Sequence, residues 1–135
     1  FEKNRNGEVF VMNCIFRISF WALLAGLIAL SPIGVAMAGP IESGVKAYSS
    51  ADYAGAVRLL TPPAEQGDAD AQYTLGLAHS KLSGHEDHIK AVMWLDIVAR
   101  SGDVDAGSER DRIGADMKPE DFAEAQRRAA EWKPK

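Results

Sequence analysis

The chain has 135 residues, of which 47% are hydrophobic and 25% charged, and its formal net charge is −4 at pH 7. The length is sufficient for one small domain with a single core. The acidic balance argues against binding of nucleic acid, because proteins that bind phosphate backbones concentrate Lys and Arg on one face. The one cysteine, Cys14, lies near the N-terminus, so a disulfide framework is excluded.

Residues 12–38 have the layout of a signal peptide. We expect residues 1–11 to be an upstream extension and Met12 to be the start of translation. An apolar run over 18–30 and the small-residue triplet Ala-Met-Ala at 36–38 are typical of the hydrophobic region and the cleavage site of such a segment.

Cleavage after residue 38 predicts a mature chain of residues 39–135 that is periplasmic or secreted. The alternative is an uncleaved anchor in the inner membrane, because residues 18–38 are long enough to span about 30 Å of hydrocarbon. Pro32 and Gly34 favour the signal peptide, since they interrupt the helix that an anchor would need.

Further along, the sequence repeats with a period of 35 residues. Residues 64–71, AEQGDADA, return as residues 99–106, ARSGDVDA, with five of eight positions identical. A fixed period of this length is typical of stacked helical units, each of which covers the apolar face of its neighbour. The match ends there, because the apolar residues 73–77 correspond to polar residues at 108–112. We therefore predict one full repeat, one partial repeat before it and a divergent end.

Apolar residues recur at helical spacing within these units. The positions expected to pack are Ala56, Leu60, Ala64, Ala71, Leu75, Ala91, Trp94, Leu95 and Ala99. Gly76, beside one stripe, indicates a close helix contact, because glycine costs about 1 kcal/mol of helix propensity relative to alanine. Gly67 and Gly102 suit the left-handed position that ends a helix, and the aspartate after each can cap the next helix.

The sequence thus predicts helices at about 41–49, 52–65, 69–82, 87–101 and 104–116. Pro62 and Pro63 predict a kink or break near Thr61. A terminal helix begins near Pro119 and is expected to cap the array. The predicted fold class is all-α, a short stack of antiparallel helical hairpins that forms a tetratricopeptide-like α/α superhelix after an N-terminal signal helix.

Residues 71–102, AQYTLGLAHSKLSGHEDHIKAVMWLDIVARSG, resemble the Sel-one-like repeat family, a tetratricopeptide-like group of helix-turn-helix units. The matching residues are Ala71, Leu75, Gly76, Gly84, Asp87, Lys90, Ala91, Trp94, Ala99 and Gly102. Residues 53–67 and the closing EAQRRAAEWKPK are similar to small exported bacterial members, so the resemblance covers most of 39–135. His79 departs from it, because the family usually has a tyrosine there. The resemblance implies a right-handed stack of hairpins that holds other proteins together, and it carries no catalytic residue.

Three histidines, His79, His85 and His88, lie close together with Glu86 and Asp87. Their spacing fits no standard zinc motif, and we interpret His85 and His88 as solvated residues of a polar turn. The alternative is an envelope enzyme or metal-binding protein that uses the three histidines.

We also considered the S-x-x-K pattern of penicillin-binding enzymes, which Ser43 and Lys46 match. The other motifs of that site, S-D-N and K-T-G, are missing from the sequence. No catalytic residue, metal ligand or cofactor is predicted from this pattern.

The function predicted from the sequence is a non-catalytic, exported scaffold or adaptor that binds a protein or peptide. The first helix of each hairpin should line any binding groove, which makes Tyr73, Leu77 and Ser80 the candidate contact residues. Helical arrays need about three units for stability. A chain with little more than two is therefore expected to depend on its terminal helix or on formation of a homo-oligomer.

Overall fold

Residues 39–135, the part of the chain that the computed structural model describes, form six α-helices and no strand. They are α1 (Pro40–Ser49), α2 (Tyr53–Glu65), α3 (Ala69–Ser80), α4 (His85–Arg100), α5 (Val104–Gly114) and α6 (Pro119–Glu131). In this range no helix is both long enough and apolar enough to cross a membrane. The predicted signal peptide and its anchor alternative lie outside the described residues. The all-α class predicted from the sequence is confirmed.

Within residues 39–135 every predicted helix is present, with ends that differ from the prediction by at most two residues. The largest differences arise at α4, which begins at His85, and at the ends of α3 and α5. Gly84 takes an extended conformation with φ −76° and ψ 138°, and it forms the N-cap of α4. Glu86 and Asp87 then lie in the first turn, where negative charge is favoured by the helix dipole.

The predicted break at Thr61 is wrong, because α2 continues through Pro62 and Pro63 to Glu65. The amides that the prolines lack would have donated to the carbonyls of Arg58 and Leu59 in the preceding turn, and the helix continues without these two hydrogen bonds. The Thr61 hydroxyl donates to the Val57 carbonyl at 2.6 Å, and the Gln66 amide closes the last turn on the carbonyls of both prolines.

The two Gly-Asp turns have the predicted geometry. Gly67 and Gly102 have φ of 99° and 105°, a left-handed conformation that glycine adopts without a Cβ clash. Asp68 and Asp103 follow as N-caps of α3 and α5, and each carboxylate accepts a hydrogen bond of 2.8 Å from the amide three residues later. The repeat in the sequence is therefore a repeat of one helix-ending and helix-starting turn.

The buried side chains form two clusters that meet at α4. The α2–α4 cluster consists of Ala56, Leu60, Ala64, Ala71, Leu75, Ala78 and Trp94. The α4–α6 cluster consists of Ile89, Ala91, Val92, Leu95, Val98, Ala106, Ile113 and Ala125. The stripe positions predicted from the sequence are buried, except that Ala99 is half-buried. Each fully buried leucine contributes about 1.5–3 kcal/mol through removal of apolar surface from water.

Gly76 is the closest point between α3 and α4. A Cβ at this position would lie 2.8 Å from Leu95 Cγ and 3.2 Å from the Ala91 carbonyl oxygen. Only glycine leaves room for this approach, and the close helix contact predicted from the sequence is confirmed.

Helix α4 is the centre of the domain, since it packs against α3, α5 and α6. Helix α1 packs against α2 and also against α3. After α6 the chain returns to the α2–α4 cluster. The Trp132 ring packs edge to face against Trp94, with a centroid distance of 5.8 Å. The Lys135 amide then donates to the Glu65 carbonyl at 2.9 Å, so the closing residues lie against α2 and α4.

Candidate functional site

The candidate contact residues on α3 follow one stripe of that helix. Tyr73, Leu77 and Ser80 are separated by four and three residues, which places them on the same side. Tyr73 and Leu77 are half-buried against the α4–α6 cluster, so part of each side chain faces solvent. The Ser80 hydroxyl donates to the Leu77 carbonyl at 2.8 Å. Their predicted role in partner binding stays a prediction.

A cavity of about 520 Å³ lies between α1 and α3, beside Tyr73. Ile41 and Val45 of α1 supply its apolar side, while Glu42 and Asp70 supply carboxylates. Val45 is 39% exposed, and in the described residues only Val104 joins it as an exposed large hydrophobic side chain. The cavity thus combines accessible apolar surface with an aromatic ring and negative charge.

Helix α5 contributes its charges to the same side of the molecule. Burial raises the pKa of the Tyr73 hydroxyl, and the carboxylates of Glu109 and Asp105 raise it further. The pKa of Tyr48 on α1 is also raised, first by burial and then by Tyr53 and Glu109. Glu109 therefore lies near a tyrosine from each of the two other helices. We call this surface the α1–α3 face, defined by Val45, Tyr48, Tyr73 and Leu77, with Glu109 at its edge.

Of the three histidines, only His79 is buried, at 5% exposure. Its Nδ1 lies 2.9 Å from Asp87 Oδ1. Burial lowers the pKa of His79, and the hydrogen bond that its ring donates to the Asp87 carboxylate opposes that shift. This side chain joins the C-terminal part of α3 to the first turn of α4.

His85 and His88 have other partners. Both lie in the first turn of α4 rather than in a preceding turn, because the helix begins at His85. His85 Nε2 is 3.5 Å from Asp121 Oδ1, whereas His88 is half-buried and lines a small cavity beside Lys81. The three histidines thus point to three different surroundings. Within residues 39–135, no three His, Cys, Asp or Glu residues are grouped so as to hold a metal ion.

A buried ion pair was missed by the sequence reasoning. Asp96 is 2% exposed, and its two carboxylate oxygens accept hydrogen bonds from Arg110 at 2.8 Å and Arg100 at 2.7 Å. The signal was a single acid inside the apolar run from Trp94 to Val98, with an arginine four residues later. The pair connects α4 to α5.

No protein-family model, curated protein or solved structure matches this chain. The resemblance to Sel-one-like repeats therefore stays a prediction based on residues 71–102. Function has to be inferred from the surfaces of the domain itself.

Proposed function

We propose that this protein is a non-catalytic, exported scaffold that binds a segment of another protein on the α1–α3 face. The observation that carries the proposal is the cavity of about 520 Å³ between α1 and α3, in which an accessible valine lies beside a half-buried tyrosine. Tyrosine is among the residues that contribute most of the binding energy at protein interfaces.

The packing of the helices is compatible with a tetratricopeptide-like stack of hairpins. Three- to four-residue connections join successive helices, and such short connections favour antiparallel neighbours. In addition, α1 packs against α3, which would be the first helices of two successive hairpins. We propose that the chain is a short Sel-one-like array, in which first helices line the binding surface and α6 covers the end.

The charges around the surface favour a partner segment that carries basic residues. Glu42 and Asp70 line the cavity together with one lysine, Lys46. Glu109 and Asp105 add negative charge beside Tyr73. Complementary charge of this kind raises the association rate and selects between partners more than it raises affinity.

Affinity capture from an envelope extract with the full chain, under mild crosslinking, tests the proposal. We expect at least one protein to copurify, and a peptide from it to bind the purified chain in fluorescence polarisation. Val45→Glu should raise the Kd of that peptide about tenfold, because a carboxylate then replaces an apolar contact.

Val104→Glu is the matched control. Val104 is 79% exposed on α5 and does not line the cavity, so the same substitution should leave peptide binding unchanged. Equal effects of the two substitutions, or the absence of any copurifying protein, would contradict the proposal. Sedimentation analysis distinguishes a third outcome, in which Val45→Glu dissociates a homo-oligomer and the surface binds a second copy instead.

The location proposed for the protein, periplasmic or secreted, depends on residues 12–38. Its support is the layout of that segment as a signal peptide with a small-residue cleavage site. Mass spectrometry of the protein isolated from cells should find Gly39 as the first residue. A chain that retains residues 18–38 would instead support the anchor alternative.

A further inference from the structure

A second cavity, of about 180 Å³, opens where the C-terminal ends of α3 and α5 meet the first turn of α4. Pockets for drug-sized ligands have about 300–1,000 Å³, so this space suits a smaller molecule. Its apolar side is formed by Ile113 and Met117, and its polar side by Ser80, Lys81, His88, Arg112 and Asp116. None of these residues lines the larger cavity between α1 and α3.

The charged groups around this cavity are not paired with one another. In the described part of the chain, Lys81, His88 and Asp116 take part in no ion pair or side-chain hydrogen bond. Arg112 differs, since its Nε and Nη2 donate to Glu109 Oε2 at 3.0 and 2.7 Å. Hydrogen bonds to Glu109 raise the pKa of Arg112, and the nearby charge of Asp116 adds to that shift without a hydrogen bond between the two side chains. Groups of opposite charge thus border the same space without direct contact.

The carboxylate of Asp116 disfavours a ligand that is only an anion, because like charges at one site repel each other. The three basic residues disfavour a ligand that is only a cation. A ligand with both charges satisfies both sides of the cavity. The buried Ile113, 7% exposed, and the half-buried Met117 leave an apolar surface for a hydrocarbon group.

Helix ends with partial charges of both signs also border this cavity. The first turn of α4 carries partial positive charge, and the last turns of α3 and α5 carry partial negative charge. His88 lies in that first turn of α4, and Asp116 lies two residues beyond the end of α5. The start of α4 therefore favours a carboxylate near His88, and the end of α5 favours an ammonium group near Asp116, whereas the end of α3 opposes the carboxylate and leaves its attraction to the Lys81 ammonium group.

We propose that this cavity binds a small zwitterion with an apolar side chain, of the class of the α-amino acids. The ligand's carboxylate accepts from Lys81 and His88, its ammonium group donates to Asp116, and its side chain contacts Ile113 and Met117. This site is separate from the α1–α3 face and does not depend on the binding of a protein there.

The test is a titration of the full chain with four probes. Isothermal calorimetry measures binding, and the amide resonances of Ser80, Lys81 and Asp116 report where it occurs. The probes are L-leucine, 4-methylpentanoate (leucine without its amino group), 3-methylbutan-1-amine (leucine without its carboxylate) and inorganic phosphate. We expect saturable binding of L-leucine with a Kd of about 1 mM or below, and binding at least about tenfold weaker for the other three.

Variants assign the two ends of the ligand. Lys81→Gln and Asp116→Asn should each raise the Kd of L-leucine about tenfold. The exposed residues Lys133 and Glu120 do not line the cavity, so Lys133→Gln and Glu120→Gln are the matched controls and should have no effect. Asp116→Asn should also make 4-methylpentanoate bind as well as L-leucine does, because the ammonium group no longer finds a partner.

Three results would overturn the proposal. Binding of 4-methylpentanoate or phosphate as tight as that of L-leucine would indicate a simple anion site. Tight binding of the amine alone would indicate a cation site. No saturable binding of L-leucine would show that the cavity has no such ligand. Since Val45→Glu should leave L-leucine binding unchanged, failure here is distinguishable from failure of the proposed scaffold function.

Discussion

Helices α3 and α5 begin alike and are held in place by different means. Each follows a glycine with φ near 100° and an aspartate that caps the new helix at 2.8 Å. Each then buries an alanine completely, Ala71 in α3 and Ala106 in α5. From the glycine to this alanine, four of five positions are identical, and the turns share one geometry.

One turn later the equivalent positions are Leu75 and Arg110. Leu75 is fully buried in the α2–α4 cluster. Arg110 instead reaches the buried carboxylate of Asp96 on α4 at 2.8 Å. A repeat can therefore keep its turn and exchange an apolar contact for an ion pair, provided that the neighbouring helix supplies a charge. The sequence identity ends at this exchange although the helix packing continues.

The largest effect that would test this comparison is Leu75→Ala in α3. We expect a loss of about 2–5 kcal/mol in the free energy of unfolding, because the substitution removes buried apolar surface and leaves a cavity. Arg110→Ala in α5 should cost less, since Arg110 keeps part of its surface in water and Arg100 still pairs with Asp96. Urea denaturation followed by circular dichroism measures both. A loss at Arg110 as large as that at Leu75 would show that the two helices are held equally strongly by different means.

Asp96→Asn should give the next largest loss, about 1–3 kcal/mol, because the buried partner of Arg110 loses its charge. Asp111 is the matched control: it also contacts Arg110, at 2.8 Å, but its side chain is 64% exposed. Asp111→Asn should change the free energy of unfolding by no more than about 0.5 kcal/mol. Similar losses for the two aspartates would mean that burial of the Asp96 pair is not what stabilises α5.

The helices and turns were predictable from the sequence, whereas the ion pair and the surfaces were not. Local chemistry is enough for the turns: Gly67 suits the left-handed conformation, and Asp68 can cap whatever helix follows. Pro62 and Pro63 misled for the same reason, since a local rule takes no account of the packing of α2 against α1 and α3.

The pairing of Asp96 with Arg110 requires knowledge of which helices are neighbours, which no local pattern contains. The same holds for the small cavity, whose residues come from three helices and two connections. The candidate stripe on α3 was predictable as one side of a helix. The exposed Val45 lies beside this stripe because α1 packs against α3, and no local pattern predicts that packing.

The caps provide a test in which the two copies should behave alike. Asp68→Ala and Asp103→Ala should each lower the free energy of unfolding by about 1 kcal/mol, because each removes one hydrogen bond to an otherwise unpaired helix amide. Asp70 and Asp105 are matched controls, since they are the exposed first-turn acids of the same helices. Their substitution by asparagine should change the stability by about 0.3–1 kcal/mol or less. Clearly unequal losses at the two caps would show that the turns differ in energy despite their common geometry.

The smallest expected effect is the pH dependence of stability that His79 of α3 contributes. His79 in α3 corresponds to Gly114 in α5, where the Phe122 ring occupies the space that a side chain would need. Burial lowers the pKa of His79 in the folded protein below the ordinary value of 6.5. The charge of Lys90 adds to this shift, whereas Asp87 and Glu86 oppose it.

The unfolded chain therefore takes up a proton at His79 more readily than the folded protein does. The contribution of His79 to stability is present above pH 6.5 and is lost as the pH falls through 6.5 towards the lowered pKa of the folded state. Urea denaturation between pH 7 and 5 should show the advantage of the wild type over His79→Gln shrinking as the pH falls. His85→Gln is the comparison variant, because it makes the same change at a side chain that is 71% exposed. A wild-type advantage that grows on acidification would mean that the pairing with Asp87 outweighs burial, so that α3 would be held partly by charge, as α5 is.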